Sequence, residues 1–510
     1  MKYLILFLFI FGSSVQVLWA DDVSLLSARL QKLKKERSIE GNKLKGLIGL
    51  SKRFQLTSKR FHQSVLEDMN LKKPLNGGQL TKLHKLVSVF IDLSYQLEKE
   101  ASSTKDNFLG IILRFESIRL AANTYLPLYT NEKLRTLLNA EDKAFNISKK
   151  ELKKNLIQLL NKSNMDTLRL DISKAREVFS PQKMKRIERD SVFKKINIEG
   201  YFSKVRDILV KYNLSDFSNE ASTLSIHQLS RAFGNSAGSV KWRSGYLFDK
   251  QEVFDEIYKK LKPLDIITEK AGFALTDTFI PGHFGHNAIW LGSKKELVEL
   301  GLWDTTIPDN LKKDIEKGKL IIETDRSGTH LKSLEEFMNV DEFAILRLSK
   351  NSLPLEKYKE IYKVAFSQLG KTYDFNFDVE TTDKLVCSEL LYQSFGSINW
   401  PTTEYLGRTT ISPDNIASLV LHSNSPLKLV YFVSGSETGH RYKSVDDLVS
   451  DTGFTKKGKT YYETVRSCKV RKLKKPGPSR RGTRASNYLN IKECKDDLNA
   501  LVYKKRINTH

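Results

Sequence analysis

At 510 residues the chain is longer than one hydrophobic core usually serves, so a single small domain is excluded, and its 40% of hydrophobic residues is enough to build two or three folded units. Its 84 Lys and Arg against 60 Asp and Glu leave a net charge of +24, which excludes an acidic surface and favours an anionic partner: nucleic acid, acidic lipid or an anionic wall polymer.

The first twenty residues read as a secretory signal peptide, with Lys2, an apolar run over 3–11, Gly12, Ser13 and Ser14, and the small Ala20 before Asp21 and Asp22. Leu18 and Trp19 are poor residues ahead of a cleavage point, which keeps an uncleaved anchor as the alternative, but so short an apolar run spans a bilayer badly. Export argues against nucleic acid and moves the weight to envelope polymers and membrane surfaces.

Over 21–239 proline is almost absent and apolar residues recur at three and four, as in LTKLHKLVSVFIDLSYQLEKE and FLGIILRFESIRLAANTYL. This predicts a helical bundle or coiled-coil-like domain, interrupted at Asn76-Gly77-Gly78 and Ser180-Pro181. Its charged faces read as solvated surface or as a binding face.

Over 240–435 the runs LDIIT, NAIWLG, KLIIET, FAILRL and LKLVYFV have strand length, and LEKYKEIYKVAFSQLG and CSELLYQSF have helical spacing. The expectation is an α+β domain with a mainly antiparallel sheet and helices packed on one side. Residues 436–510 turn polar, and the stretch over 466–484 has many Lys and Arg with no acid, which reads as a weakly folded basic extension and a possible anchor to an anionic surface.

There are three cysteines, Cys387, Cys468 and Cys494. In an oxidising compartment the last two could pair, leaving Cys387 as the odd thiol, to be read either as a buried small hydrophobe or as a nucleophile. Cys387 lies where an apolar-periodic helix begins, with Leu390, Leu391 and Phe395 expected inward, and a helix N-terminus lowers a thiol pKa and can hold an oxyanion. His286 opens the run NAIWLG and could project from a strand end toward that helix. Glu323, in the next strand, could orient the imidazole, completing a Cys-His-Glu triad. His283 competes with His286, and Asp325 with Glu323. Tyr373 is either a core aromatic or an oxyanion donor. The spacing of Asp374, Asp378 and Asp383 does not make a calcium loop, so no metal and no cofactor are expected.

The succession LKPLDIITEK, GHFGHNAIWLG, LIIETDRSGTHLKSLEEF, GKTYDFNFDVETTDKLVCSELLYQSFG and ISPDNIA resembles the YiiX/YebB-like branch of the NlpC superfamily. That resemblance implies a circularly permuted papain-like fold over 240–435, in which the histidine precedes the cysteine. It puts the nucleophile at Cys387, the base at His286, the polar third member at Glu323 and a substrate-positioning or oxyanion-binding tyrosine at Tyr373. Two departures stand out. Leu264-Asp265 replaces a glycine-aspartate pair before the first strand, and a long insert between Gly292 and Lys319 could reshape the cleft. The expected chemistry is acyl transfer through a thioester, with an amide bond of cell-wall peptide as substrate and peptidoglycan or another anionic envelope polymer as partner. Membrane-surface contact, a lipid acyl hydrolase or acyltransferase of the same fold, and a non-catalytic envelope-binding protein are the alternatives.

Overall fold

The computed structural model describes residues 22–35, 40–71, 73–104, 107–160, 163–164, 166–168, 170–171, 243–273, 282–349, 354–374, 378–405, 408–474 and 488–505. The segment over 1–20 that reads as a leader and the Ser180-Pro181 punctuation lie outside them. No helix among the described residues is long and apolar enough to cross a membrane.

The described part of the N-terminal region is helical as its periodicity predicts, with α1 (Asp22–Lys35), α2 (Glu40–Asn70), α3 (Gly77–Ser103), α4 (Asn107–Tyr129), α5 (Glu132–Leu138) and α6 (Glu151–Leu160), while 172–239 lies outside the described residues. Leu80, Leu83, Val87, Phe90 and Leu97 form the buried stripe of α3, and Leu44, Leu47, Phe54, Phe61 and Val65 that of α2. Asn76 does more than break the chain. Its side chain accepts from the Gln79 N–H and the Gln79 side chain accepts from the Asn76 N–H, so α3 starts at a reciprocal cap.

After α7 (Gln251–Lys260) come the strands that the apolar runs predict. They are β1 (Ile266–Lys270), β2 (His286–Trp290), β3 (Ile321–Asp325), β4 (Gly328–Lys332), β5 (Glu342–Leu348), β10 (Leu427–Ser436) and β11 (Gly439–Tyr442), which form one sheet in the order β11-β10-β5-β1-β2-β3-β4. Every neighbouring pair is antiparallel. Between β2 and β3 lie α8 (Lys294–Glu299) and α9 (Asp309–Glu316), and α10 (Leu334–Phe337) follows β4. Then come α11 (Leu355–Ser367), β6 (Thr372–Tyr373), β7 (Lys384–Leu385), α12 (Cys387–Ser394), the short hairpin of β8 (Thr403–Tyr405) and β9 (Arg408–Thr410), and α13 (Pro413–Ser418).

The C-terminal part corrects the expectation. The sheet does not stop at 435, because β10 runs on to Ser436 and turns into the edge strand β11. Beyond α14 (Val445–Asp451), β12 (Thr455–Lys457), β13 (Thr460–Lys474) and β14 (Tyr488–Ala500) form a second antiparallel sheet, so the basic extension is a paired ribbon. Cys468 and Cys494 face each other across it and are disulfide-bonded. The ribbon's base is fastened to the domain: Leu501 is buried, its carbonyl accepts from the Ser423 N–H, and the Tyr503 N–H donates to the Ser423 carbonyl. Polar composition misled here because a two-stranded ribbon needs pairing partners more than a core.

The insert after Gly292 carries α8 and α9. It leaves the sheet at Trp290 and rejoins it at Ile321, the paired ends of β2 and β3 about 13 Å along the strand from His286. Leu264 keeps the turn before β1 in a left-handed conformation with φ 66°, which favours glycine. The leucine side chain is buried, and that burial offsets the strain.

Candidate active site

The local sequence explains how each functional side chain is presented. Val386 is extended, and its N–H donates to the Glu389 carboxyl at 2.9 Å, so the chain enters α12 at Cys387. Leu390, Leu391 and Phe395 are fully buried, as their spacing predicts, and press α12 against β2 and β3. Cys387, itself 5% exposed, therefore occupies the first helical turn, where backbone N–H groups have no helical acceptor.

On the sheet, Ala288 stands opposite Glu323. With a side-chain period of two, His286 and Glu323 share a face as diagonal neighbours on adjacent strands, within reach of long side chains. His286 Nε2 lies 2.8 Å from Glu323 Oε2. The other imidazole nitrogen, Nδ1, is left for the Cys387 thiol, whose helix the Ser388–Asn287 bond holds beside the ring's strand and whose charge acts on the ring. Glu323 is almost wholly buried and also pairs with Lys332 Nζ at 2.7 Å and His330 Nε2 at 3.3 Å, both from β4.

The electrostatics follow from these contacts. Burial opposes charge on His286, but Cys387 and Glu323 outweigh it and hold the imidazolium pKa well above its ordinary value. Burial likewise raises the thiol pKa, but the His286 charge and hydrogen bond, the Asn287 N–H and the Ser388 hydroxyl bring it below the ordinary cysteine value. Burial disfavours the Glu323 carboxylate, yet its bonds to His286 and His330 and the charge of Lys332 push its pKa far down. Both shifts favour the thiolate and imidazolium forms over the neutral pair.

Tyr373 reaches the site through a short parallel pairing that sequence does not reveal. Tyr373 stands opposite Leu385, two residues before Cys387. Burial, then the nearby Cys387, raises its pKa well above the ordinary phenol, so it stays a hydrogen-bond donor.

Of the competing residues, His283 lies elsewhere, whereas Asp325 lies beside Glu323 and shares His330 with it. His283 Nε2 is 2.7 Å from Glu342 and the His283 backbone N–H donates to Asp414, in a cluster with Lys443. Asp325 accepts from the Ser327 N–H and hydroxyl in the β3–β4 turn. Two neighbours escaped the sequence reading: the Ser388 hydroxyl donates to the buried Asn287 side-chain oxygen at 2.8 Å, tying the nucleophile's helix to the base's strand. A serine beside the cysteine was the available signal, but nothing in sequence pairs it with Asn287.

Residues 260–468 match the family model of the permuted papain-like amidases, YaeF/YiiX, the C92 family. The matched family is one of papain-like cysteine hydrolases of the amidase or peptidase type. Its match begins in α7 and runs into the basic ribbon, past the boundary expected at 435. No curated protein and no solved structure matches the chain.

Proposed function

We propose that the protein is an exported cysteine amidase that cleaves an amide bond, in cell-wall peptide, with Cys387 as nucleophile, His286 as acid and base, and Glu323 as the group that orients and charges His286. The observation that carries this reading is His286 held at 2.8 Å from the buried Glu323 on the strand to which the Ser388–Asn287 bond ties the Cys387 helix. In the reaction the thiolate attacks the carbonyl carbon and forms a C–S bond, while the α12 N–H groups and the Tyr373 hydroxyl stabilise the oxyanion. The imidazolium then gives its proton to the amide nitrogen as the C–N bond breaks. Water, deprotonated by His286, attacks the thioester and releases the acid and the thiolate. Exposed Lys469, Arg471 and Lys472 on the ribbon support an anionic polymer as the surface on which the enzyme concentrates.

Mass spectrometry of purified peptidoglycan incubated with the mature protein and with Cys387→Ala tests this, with a phospholipid mixture in parallel. New stem-peptide fragments that require Cys387 are expected. Released fatty acid or lysolipid would move the assignment to lipid acyl chemistry, and no Cys387-dependent product from either would favour a binding protein.

A further inference from the structure

The helical region is seated directly on the element that bears Cys387. The Tyr392 hydroxyl, in the last turn of α12, donates to the Leu75 carbonyl at 2.6 Å, and the Leu75 N–H donates to Glu380 at 2.9 Å. At the start of α3 the backbones of the two regions touch: a Cβ on Gly77 would lie 2.0 Å from the Tyr392 carbonyl oxygen and 2.6 Å from Gln393 Cα. A Cβ on Gly396 would meet the Gly78 nitrogen at 2.3 Å. The positive N-terminus of α3 therefore abuts the negative C-terminal end of α12, an arrangement in which the end charges attract.

A second set of contacts holds the other end. Asp142 of the helical region, 1% exposed, bonds His84 Nδ1 at 2.6 Å and Lys371 Nζ at 2.9 Å. Lys371 also donates to the Thr382 carbonyl, and the Thr382 hydroxyl lies 3.3 Å from His84 Nδ1. Lys371 directly precedes β6, which carries Tyr373. Thr382 lies just before β7, which leads into Cys387. Both paired strands, and through them Tyr373 and the N-terminus of α12, are thus fastened to the helical region by fully buried polar groups.

We propose that the helical domain is an intramolecular clamp that positions the nucleophile helix at both ends, so that the reactivity of Cys387 depends on a domain that contributes no residue to the triad. Leu75, Gly77, Asp142, Lys371 and Tyr392 are its positioning residues. The inference rests on the reading of Cys387 as the nucleophile.

The test needs no substrate. Cys387 is the one free cysteine, so its alkylation by iodoacetamide across pH reports thiolate reactivity and apparent pKa in the full-length protein. In Gly77→Ala the new methyl group meets backbone and must part the two regions; the expected result is a rate near neutral pH changed by about tenfold or more and a displaced pH profile. Gly49→Ala, where nothing lies within 4 Å, is the matched control and keeps the wild-type profile. Should Gly77→Ala fail to fold, Tyr392→Phe removes one clamp bond without adding bulk and is expected to shift the rate about fivefold. A lowered melting temperature with the wild-type alkylation profile in these variants would overturn the clamp. A wild-type thiol with an ordinary pKa would instead sink the assignment of Cys387 on which the clamp rests.

Discussion

At the scale of residues, the site consists of mutually stabilising charges. Thiolate and imidazolium titrate as a pair, so hydrolysis, which needs both, should follow a bell in pH. The acid limb marks formation of the thiolate, below the ordinary cysteine range. The alkaline limb marks loss of the imidazolium proton, above the ordinary histidine range. Glu323→Gln removes the carboxylate that favours the imidazolium. The expected outcome is a bell narrowed from both sides, with hydrolysis of whichever substrate is established reduced on the order of 10²-fold, because a group that orients the base acts through it. Hydrolysis rates from pH 4 to 10 would show the narrowing, and alkylation kinetics the raised thiolate limb alone; both profiles unchanged would remove Glu323 from the site. Cys387, His286, Glu323 and Tyr373 were all legible in sequence as candidates. Lys332 was not, because its role depends on β4 lying beside β3.

At the scale of elements, the strand runs and helix spacings were readable because each element buries one side of a regular pattern. Their relative placement was not, since the register opposing Ala288 to Glu323 and the parallel pairing of β6 with β7 are long-range choices. The tie between α12 and β2 is testable. Ser388→Ala leaves the buried Asn287 oxygen without its donor, which should cost about 1–3 kcal/mol in chemical denaturation. Asn287 also supplies an N–H to the thiol, so the same variant should raise the thiol pKa. Full stability together with a wild-type thiol profile would show that this bond holds nothing.

At the scale of the molecule, the helical and sheet regions carry different acid sensitivities. Burial, reinforced by Lys82, lowers His62 of α2 to about 4, against 6.5 when unfolded. Above pH 6.5 this group contributes nothing to the pH dependence. Between 6.5 and about 4 the unfolded chain takes up a proton that the folded chain refuses, so stability falls by up to about 1.4 kcal/mol per pH unit. In the sheet region, burial disfavours the Glu342 carboxylate, but His283 and Lys443 bring its pKa down to about 2. Its contribution is present above the unfolded value of 4.5 and is lost as pH falls toward 2. Acid denaturation should therefore begin with the loss due to His62. His62→Leu should flatten the stability curve between pH 6.5 and 4, and Glu342→Gln the part below 4.5. Melting temperatures across pH would check both, and a slope left intact by His62→Leu would show that another group controls that window.

By itself the sequence determined the succession of helices and strands, the candidate nucleophile, base and acid, and the cysteine pair of the ribbon, because these depend on periodicity and on the chemistry of single residue types. The tertiary structure decided which histidine meets the thiol, that the basic extension is a paired ribbon, and that Gly77 lies against Tyr392. Those outcomes depend on contacts between segments tens to hundreds of residues apart, and no local pattern records which distant backbone a glycine has to admit.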